Sequence, residues 1–191
     1  MKKLLLIITL SFLIALPTFS ANVIVDNADK VLIQQGLTAI DNDTNQLHII
    51  GTNLMKKNPN IIFGYYYEAL YLQRTGKYET ALKYYSKAIE KMNNGANTAF
   101  LLPEIYKGKG ICYRSLEEYK IALANLQLAE QYLKEDDFII STEKVVCYMA
   151  LDMENEAYRE LNKARKLAGN DTDYIKHVNE LQKLLKYYFK G

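Results

Sequence analysis

The chain has 191 residues, 49% hydrophobic and 24% charged, with a formal net charge of +2. That is enough for one domain of ordinary size, too apolar for disorder as a default, and too evenly charged to select nucleic acid or an anionic membrane surface as partner. Three prolines and nine glycines are few for an all-β protein with many turns, while 16 tyrosines and no tryptophan supply rings that pack and hydroxyls that reach a partner.

The chain opens with Lys2 and Lys3, then an apolar run over 4–16 broken only by Thr9 and Ser11. Pro17 ends the run, and Thr18-Phe19-Ser20 places small residues where a signal peptidase reads. Thirteen helical residues span about 20 Å, short of the roughly 30 Å hydrocarbon core. The pattern predicts a signal peptide over 1–20, cut after Ser20, with export to a bacterial periplasm or beyond. No cysteine near the cut offers a lipid anchor. Cleavage takes 24 basic side chains to 22, against 22 acidic, so the mature chain is neutral.

Helical signals then follow in order. A helix capped by Asp26 or Asn27 runs through 40, and 41–45 is a polar turn. A second covers 46–57 and stops at Asn58-Pro59. The next pair covers 62–75, with Gly76 as terminator, and 78–92. A turn-rich connector spans 93–97. One helix runs to 115, another over 119–134, and Glu135-Asp136-Asp137 forms a charged break. The last pair covers 138–150 and 154–168, ending at Gly169-Asn170. A final helix over 172–190 has no partner after it.

Three of these second helices carry one pattern. Ala81, Ala122 and Ala157 each precede another alanine by seven residues: Ala88, Ala129 and Ala164. Between them stand Tyr85, Leu126 and Leu161. Small residues at such spacing let two helix axes approach while a large residue fills the gap. A period near 34 with paired helices marks units that must stack to bury their faces. The pair over 21–61 has a helix-turn-helix layout but lacks the small residues of the later units.

The repeats resemble the tetratricopeptide family. The first reads Tyr65, Ala69, Leu72, Tyr78, Ala81, Tyr85, Ala88. The second reads Tyr106, Gly110, Tyr113, Tyr119, Ala122, Leu126, Ala129. The third keeps Tyr148, Ala157, Leu161 and Ala164, with Ser141 and Val145 at the fourth and eighth positions. Their extents are about 62–95, 103–137 and 138–170, behind a degenerate pair over 21–61 and ahead of a capping helix over 171–191. The resemblance implies an all-α, right-handed helical solenoid of such pairs. Tyr174, Val178, Leu181, Leu185 and Tyr188 form the stripe by which the cap would bind, with Ile175 and Phe189 beside it.

No catalytic constellation stands out. His48 and His177 lack a histidine or cysteine at ligand spacing, so no metal is expected. Gly108-Lys109-Gly110 lacks the strand and the Lys-Ser/Thr ending of a phosphate loop. Asn42-Asp43-Thr44 and Asn170-Asp171-Thr172 match a glycosylation pattern and a turn or cap equally well. Cys112 and Cys147 hold the tenth position of successive repeats. Related by translation, they point the same way, and free thiols are expected. Neither cofactor nor enzyme activity is expected.

By resemblance, the first helix of each repeat lines a concave groove. The candidates are Phe63, Tyr66, Tyr67, Leu70, Gln73 and Arg74 in the first repeat. The second supplies Lys107, Ile111 and Arg114, and the third Thr142, Val146 and Met149. This predicts an aromatic end, a basic middle and an apolar far end, a composition suited to binding hot spots. The lysine–asparagine clamp with which some members hold a C-terminal carboxylate is absent, since Tyr66, Leu70 and Glu143 hold its positions. The expected role is an exported scaffold, more readily a monomer than a homo-oligomer, holding a segment of another envelope protein. Two rivals stay open: a small-molecule binder or enzyme with a pocket between helix pairs, and a self-assembling structural protein. Phe63 and the tyrosines could instead pack against the N-terminal pair.

Overall fold

The structure, a computed structural model, describes residues 25–92, 99–133 and 135–190. The signal-peptide assignment over 1–20 and the connector over 93–97 lie outside them. Nine α-helices and one 3-10 turn occur among the described residues: α1 (Asn27–Asn42), α2 (Thr44–Lys57), α3 (Ile62–Arg74), α4 (Tyr78–Glu90), the turn Ala99–Leu101, α5 (Leu102–Ser115), α6 (Tyr119–Leu133), α7 (Phe138–Ala150), α8 (Glu154–Ala168) and α9 (Thr172–Lys190). The chain divides into two compact units, the boundary falling after Ala99. In the first, α1 packs on α2, α2 on α3 and α3 on α4. In the second, α5 to α9 pack in succession, with α7 also touching α5 and α9.

The expected five-residue turn after α1 is one residue long. Asp43 sits in extended backbone between two helices. Its amide donates to Ala39 O at 3.0 Å, closing α1. Its carboxylate accepts from Asn45 N and Gln46 N at 3.0 and 3.1 Å, opening α2. The Asn170-Asp171-Thr172 pattern is likewise a cap, Asp171 accepting from Asp173 N and Tyr174 N, both at 3.0 Å.

The alanine joints lie at the centre of both units. Ala81, Tyr85 and Ala88 in α4 are fully buried, as are Ala122, Leu126 and Ala129 in α6, and Ala157 and Ala164 in α8, with Leu161 nearly so. A Cβ on Gly110 of α5 would stand 2.7 Å from Leu126 and 3.3 Å from Ala122 O, so α5 and α6 meet at closest approach there. The N-terminal pair does have small joint residues, but they are glycines. A Cβ on Gly51 of α2 would lie 3.0 Å from Gly64 O and from Glu68 N of α3, and one on Gly36 of α1 would collide with the Tyr67 ring.

Each repeat turns between its two helices through the same bonds. The amides of Lys77, Glu118 and Met153 donate to Leu72 O, Tyr113 O and Tyr148 O, at 2.8, 2.9 and 2.9 Å. The amides one residue earlier donate to Gln73 O, Arg114 O and Met149 O. This is the paired closure of a Schellman turn, whose hinge residue takes positive φ. Gly76 supplies it in the first repeat at φ 77°, but Glu117 and Asp152 adopt φ 63° and 57° in the others. An L side chain there costs about 1–2 kcal/mol relative to glycine.

An ionic chain, buried at Lys144 and Glu160 and exposed at its Asp136 end, joins α6, α7 and α8. Lys144 Nζ lies 2.9 Å from Glu130 Oε2 and 2.7 Å from Glu160 Oε1; Lys163 Nζ lies 2.7 Å from Glu130 Oε1 and 2.8 Å from Asp136 Oδ1. Burial raises the Glu130 carboxyl, but Lys163 and Lys144 outweigh it and hold it below its ordinary value. Lys144 and Glu160 are each 5% exposed. Two unlike charges so placed are costly apart, and removing one strands the other. Cys112 and Cys147 are buried free thiols, both pushed by burial up to about 12, so they act as small apolar groups.

The strained hinge and the buried pair can each be tested by substitution. Glu117→Gly removes the left-handed penalty and should stabilise the chain by about 0.5–1 kcal/mol, the gain being reduced by glycine's greater unfolded-state freedom; the urea midpoint reads it. Lys144→Met should cost about 3–5 kcal/mol by leaving Glu160 unpaired in the interior, and Glu160→Leu added to it should recover most of that loss. A second substitution that merely adds a further loss would show that the lysine's charge is not what matters.

Candidate functional site

The aromatic end of the expected groove is interior. In α3, Phe63, Tyr66 and Tyr67 are at most 3% exposed. Tyr67 lies with its ring over Gly36 and donates its hydroxyl to Ile33 O of α1 at 2.7 Å; burial raises its phenol well above the ordinary value. Its ring centroid is 5.8 Å from those of both Phe63 and Tyr66, and Tyr66 is 6.5 Å from Tyr85. These three residues are therefore corrected from partner anchors to core. The cause is α1: where α1 has a glycine, the ring settles against helix backbone. Leu70 stays half-buried and Arg74 exposed, while Gln73 Oε1 accepts from Tyr85 Oη at 2.6 Å.

The same helix holds a pair absent from the sequence reading. Glu68 is buried, and its Oε2 lies 2.7 Å from His48 Nδ1 of α2. The His48 ring stacks on Tyr71 with centroids 4.6 Å apart. Thr52 Oγ1 donates to His48 O and Ile49 O, not to the ring. His48 is thus fixed by a carboxylate and an aromatic face, and is more than a lone surface residue. No spacing rule marks the pair, because its members are twenty residues apart on different helices.

The basic middle is neutralised within the second unit. Lys107 Nζ of α5 lies 3.0 Å from Glu104 Oε1 and 3.2 Å from Asp137 Oδ2. Burial pulls this ammonium down, yet Glu104 and Asp137 together hold it above its ordinary value. Arg114 grips Glu143 of α7 with two bonds, Nε to Oε2 at 2.6 Å and Nη2 to Oε1 at 3.1 Å. The expectation that Lys107 and Arg114 offer charge to a partner is corrected accordingly. A signal was present: opposite charges stand 30 and 29 residues apart, close to one repeat, where parallel first helices bring them level.

What remains accessible is a strip on α5 and α7. Ile111, Val146 and Met149 are half-buried, the last two packing against the core of the second unit. Beside them Arg114 and Glu143 keep 31% and 17% of their side-chain surface. Thr142 is buried and donates to Ile139 O at 3.0 Å. The strip is apolar with one embedded, charge-compensated bidentate pair. Elsewhere in this unit an open cleft of about 530 Å³ follows α8, lined by Asp136, Asn155, Tyr158, Arg159, Asn162, Lys163 and Lys166. Lys163 in it is held by Asp136 and Glu130, which raise it above its ordinary value against the effect of burial. Among the described residues no group of three or more His, Cys, Asp or Glu side chains could hold a metal ion.

No protein-family model and no curated protein matches the chain. Solved structures do. The thermophilic TPR protein TTC0263 of Thermus thermophilus is 21% identical over 80% of each chain, with a TM-score of 0.61. The MamA RS-1 ArsTM double mutant is 14% identical over 87% of this chain and 97% of its own, with a TM-score of 0.60. With the three in-register repeats and the successive packing of their helices, the fold is that of the tetratricopeptide-repeat proteins.

Proposed function

We propose that the chain is an exported, non-catalytic interaction module that holds a segment of another cell-envelope protein against α5 and α7. The observation that carries this reading is the strip itself: partly exposed Ile111, Val146 and Met149 around the Arg114–Glu143 pair. Half-exposed apolar side chains on packed helices have a rigid shape to offer. A compensated ion pair adds hydrogen-bonding groups without demanding a charged ligand. The fold supports a protein partner, since it displays helix faces and, among the described residues, has no strand-loop-helix turn to cradle a phosphate. The ionisable side chains of the site are engaged in structural pairs. The leader pattern over 1–20 supports export.

Two measurements test the proposal. Affinity capture from the native envelope, read by mass spectrometry, should return a protein whose recovery falls at least about tenfold with Val146→Asp, compared at a temperature where circular dichroism shows the variant as helical as the parent chain. Tyr66→Ala should do the reverse, losing about 3 kcal/mol of stability through a core cavity. Equal capture by the Val146 variant and the parent would remove the strip from the site. Separately, N-terminal sequencing of exported material should begin at Ala21, and retention of Lys2 would mean an anchored chain instead.

A further inference from the structure

The last helix has two opposite stripes. Val178, Leu181 and Leu185 face inward and are buried. Its N-terminal end meets that of α7, where Tyr174 stacks on Phe138 at 3.8 Å, and its C-terminal end meets the turn after α7, where Tyr188 Oη donates to Asp152 Oδ1 at 3.0 Å. So α9 lies parallel to α7 and caps the second unit. Tyr188, placed on the inward stripe by sequence, is 48% exposed, and Ile175, placed beside that stripe, is 39% exposed.

At 3.6 residues per turn, the face directly opposite the buried stripe carries Asp173, Lys176, Glu180, Lys183, Tyr187 and Lys190, spaced alternately three and four. All six are exposed, Tyr187 by 82%, with Leu184 beside it at 52%. None makes an ion pair among the described residues. This is heptad spacing on a helix face that none of the described residues covers. Its charge order also has a symmetry. Laid antiparallel on a copy of itself, the stripe sets Asp173 against Lys190, Lys176 against Tyr187, and Glu180 against Lys183, each contact occurring twice. Laid parallel and in register, it sets every lysine against a lysine and each acid against itself. One offers four ion pairs and two ammonium–ring contacts, the other five like-charge contacts and one contact of Tyr187 with itself.

We propose that α9 is a self-association surface, pairing antiparallel with α9 of a second copy of this chain about a twofold axis near Leu181 and Gln182. The proposal does not depend on the segment assigned to α5 and α7. One helix of 19 residues is about 28 Å long and buries less than a standard interface, so the dimer belongs to the weak, transient class. Its attraction is mostly charge, so salt should weaken it. The face is thus both a cap, inward, and a reversible contact, outward.

The test is a charge swap, read by sedimentation velocity on the chain recovered from an exporting bacterium, at concentrations up to roughly 100 µM and low salt. The parent should dimerise. Glu180→Lys and Lys183→Glu should each raise the dissociation constant at least about tenfold, since symmetry applies each change twice. The double variant, with the charges exchanged, should return within about threefold of the parent. Tyr187→Ala should weaken the dimer with helical content unchanged, as the ring is outside the core. A parent that stays monomeric, or a dimer indifferent to the single variants or not repaired by the swap, overturns the proposal. So does a monomer that instead sediments with vesicles of phosphatidylglycerol, which would give the face to an anionic lipid surface.

Discussion

Everything in both units depends on how closely two helix axes can come. Where the chain places alanine at Ala81, Ala122 and Ala157, or glycine at Gly51 and Gly110, one helix presents almost no side chain to its neighbour. In the alanine helices, the large residue four positions on then fills the space beside that contact. Helices held so close have limited freedom to slide, because the small residue fits at one height only. The level placement of Lys107 with Asp137 and of Arg114 with Glu143 is inherited from that height. Were the joints wider, the charges on the first helices would pair with water, and the strip over α5 and α7 would have no fixed composition.

The second helices were legible almost residue by residue, because alanine spacing has one physical reading at a period near 34. The first helices were legible as helices and misleading as a surface. Phe63, Tyr66 and Tyr67 occupy groove positions by repeat count, but whether a ring is offered or buried depends on what the preceding helix brings. Gly36 brings backbone, and Tyr67 fills the space above it. A glycine inside a helical pattern reads by propensity as a weak helix former. Its meaning as a seat for an aromatic ring appears only when its partner on another helix is known. The error at Lys107 and Arg114 has a different origin. Composition counts charges; pairing depends on which of them face each other across parallel helices.

The site is consequently quieter than the sequence suggests, and its apolar share is larger. Charges that could have drawn a partner from a distance are engaged in holding α5, α7 and their connection together. Recognition on this strip would rest on shape and on short-range contacts, with weak sensitivity to salt. The outer face of α9 is the opposite case, rich in exposed lysine around the Tyr187 ring. On these two proposals the second unit would present two surfaces that respond differently to ionic strength.

Asp43 has a consequence for how the first unit opens. One side chain and its amide close α1 and begin α2, with no linker residue between the helices to absorb a disturbance. Fraying at the end of α1 withdraws the carboxylate from the start of α2, and fraying at the start of α2 withdraws the amide from α1. The two helices share a terminus and lose it together, so this hairpin behaves as one cooperative element. Hydrogen exchange would see a single opening event in place of two independent ends.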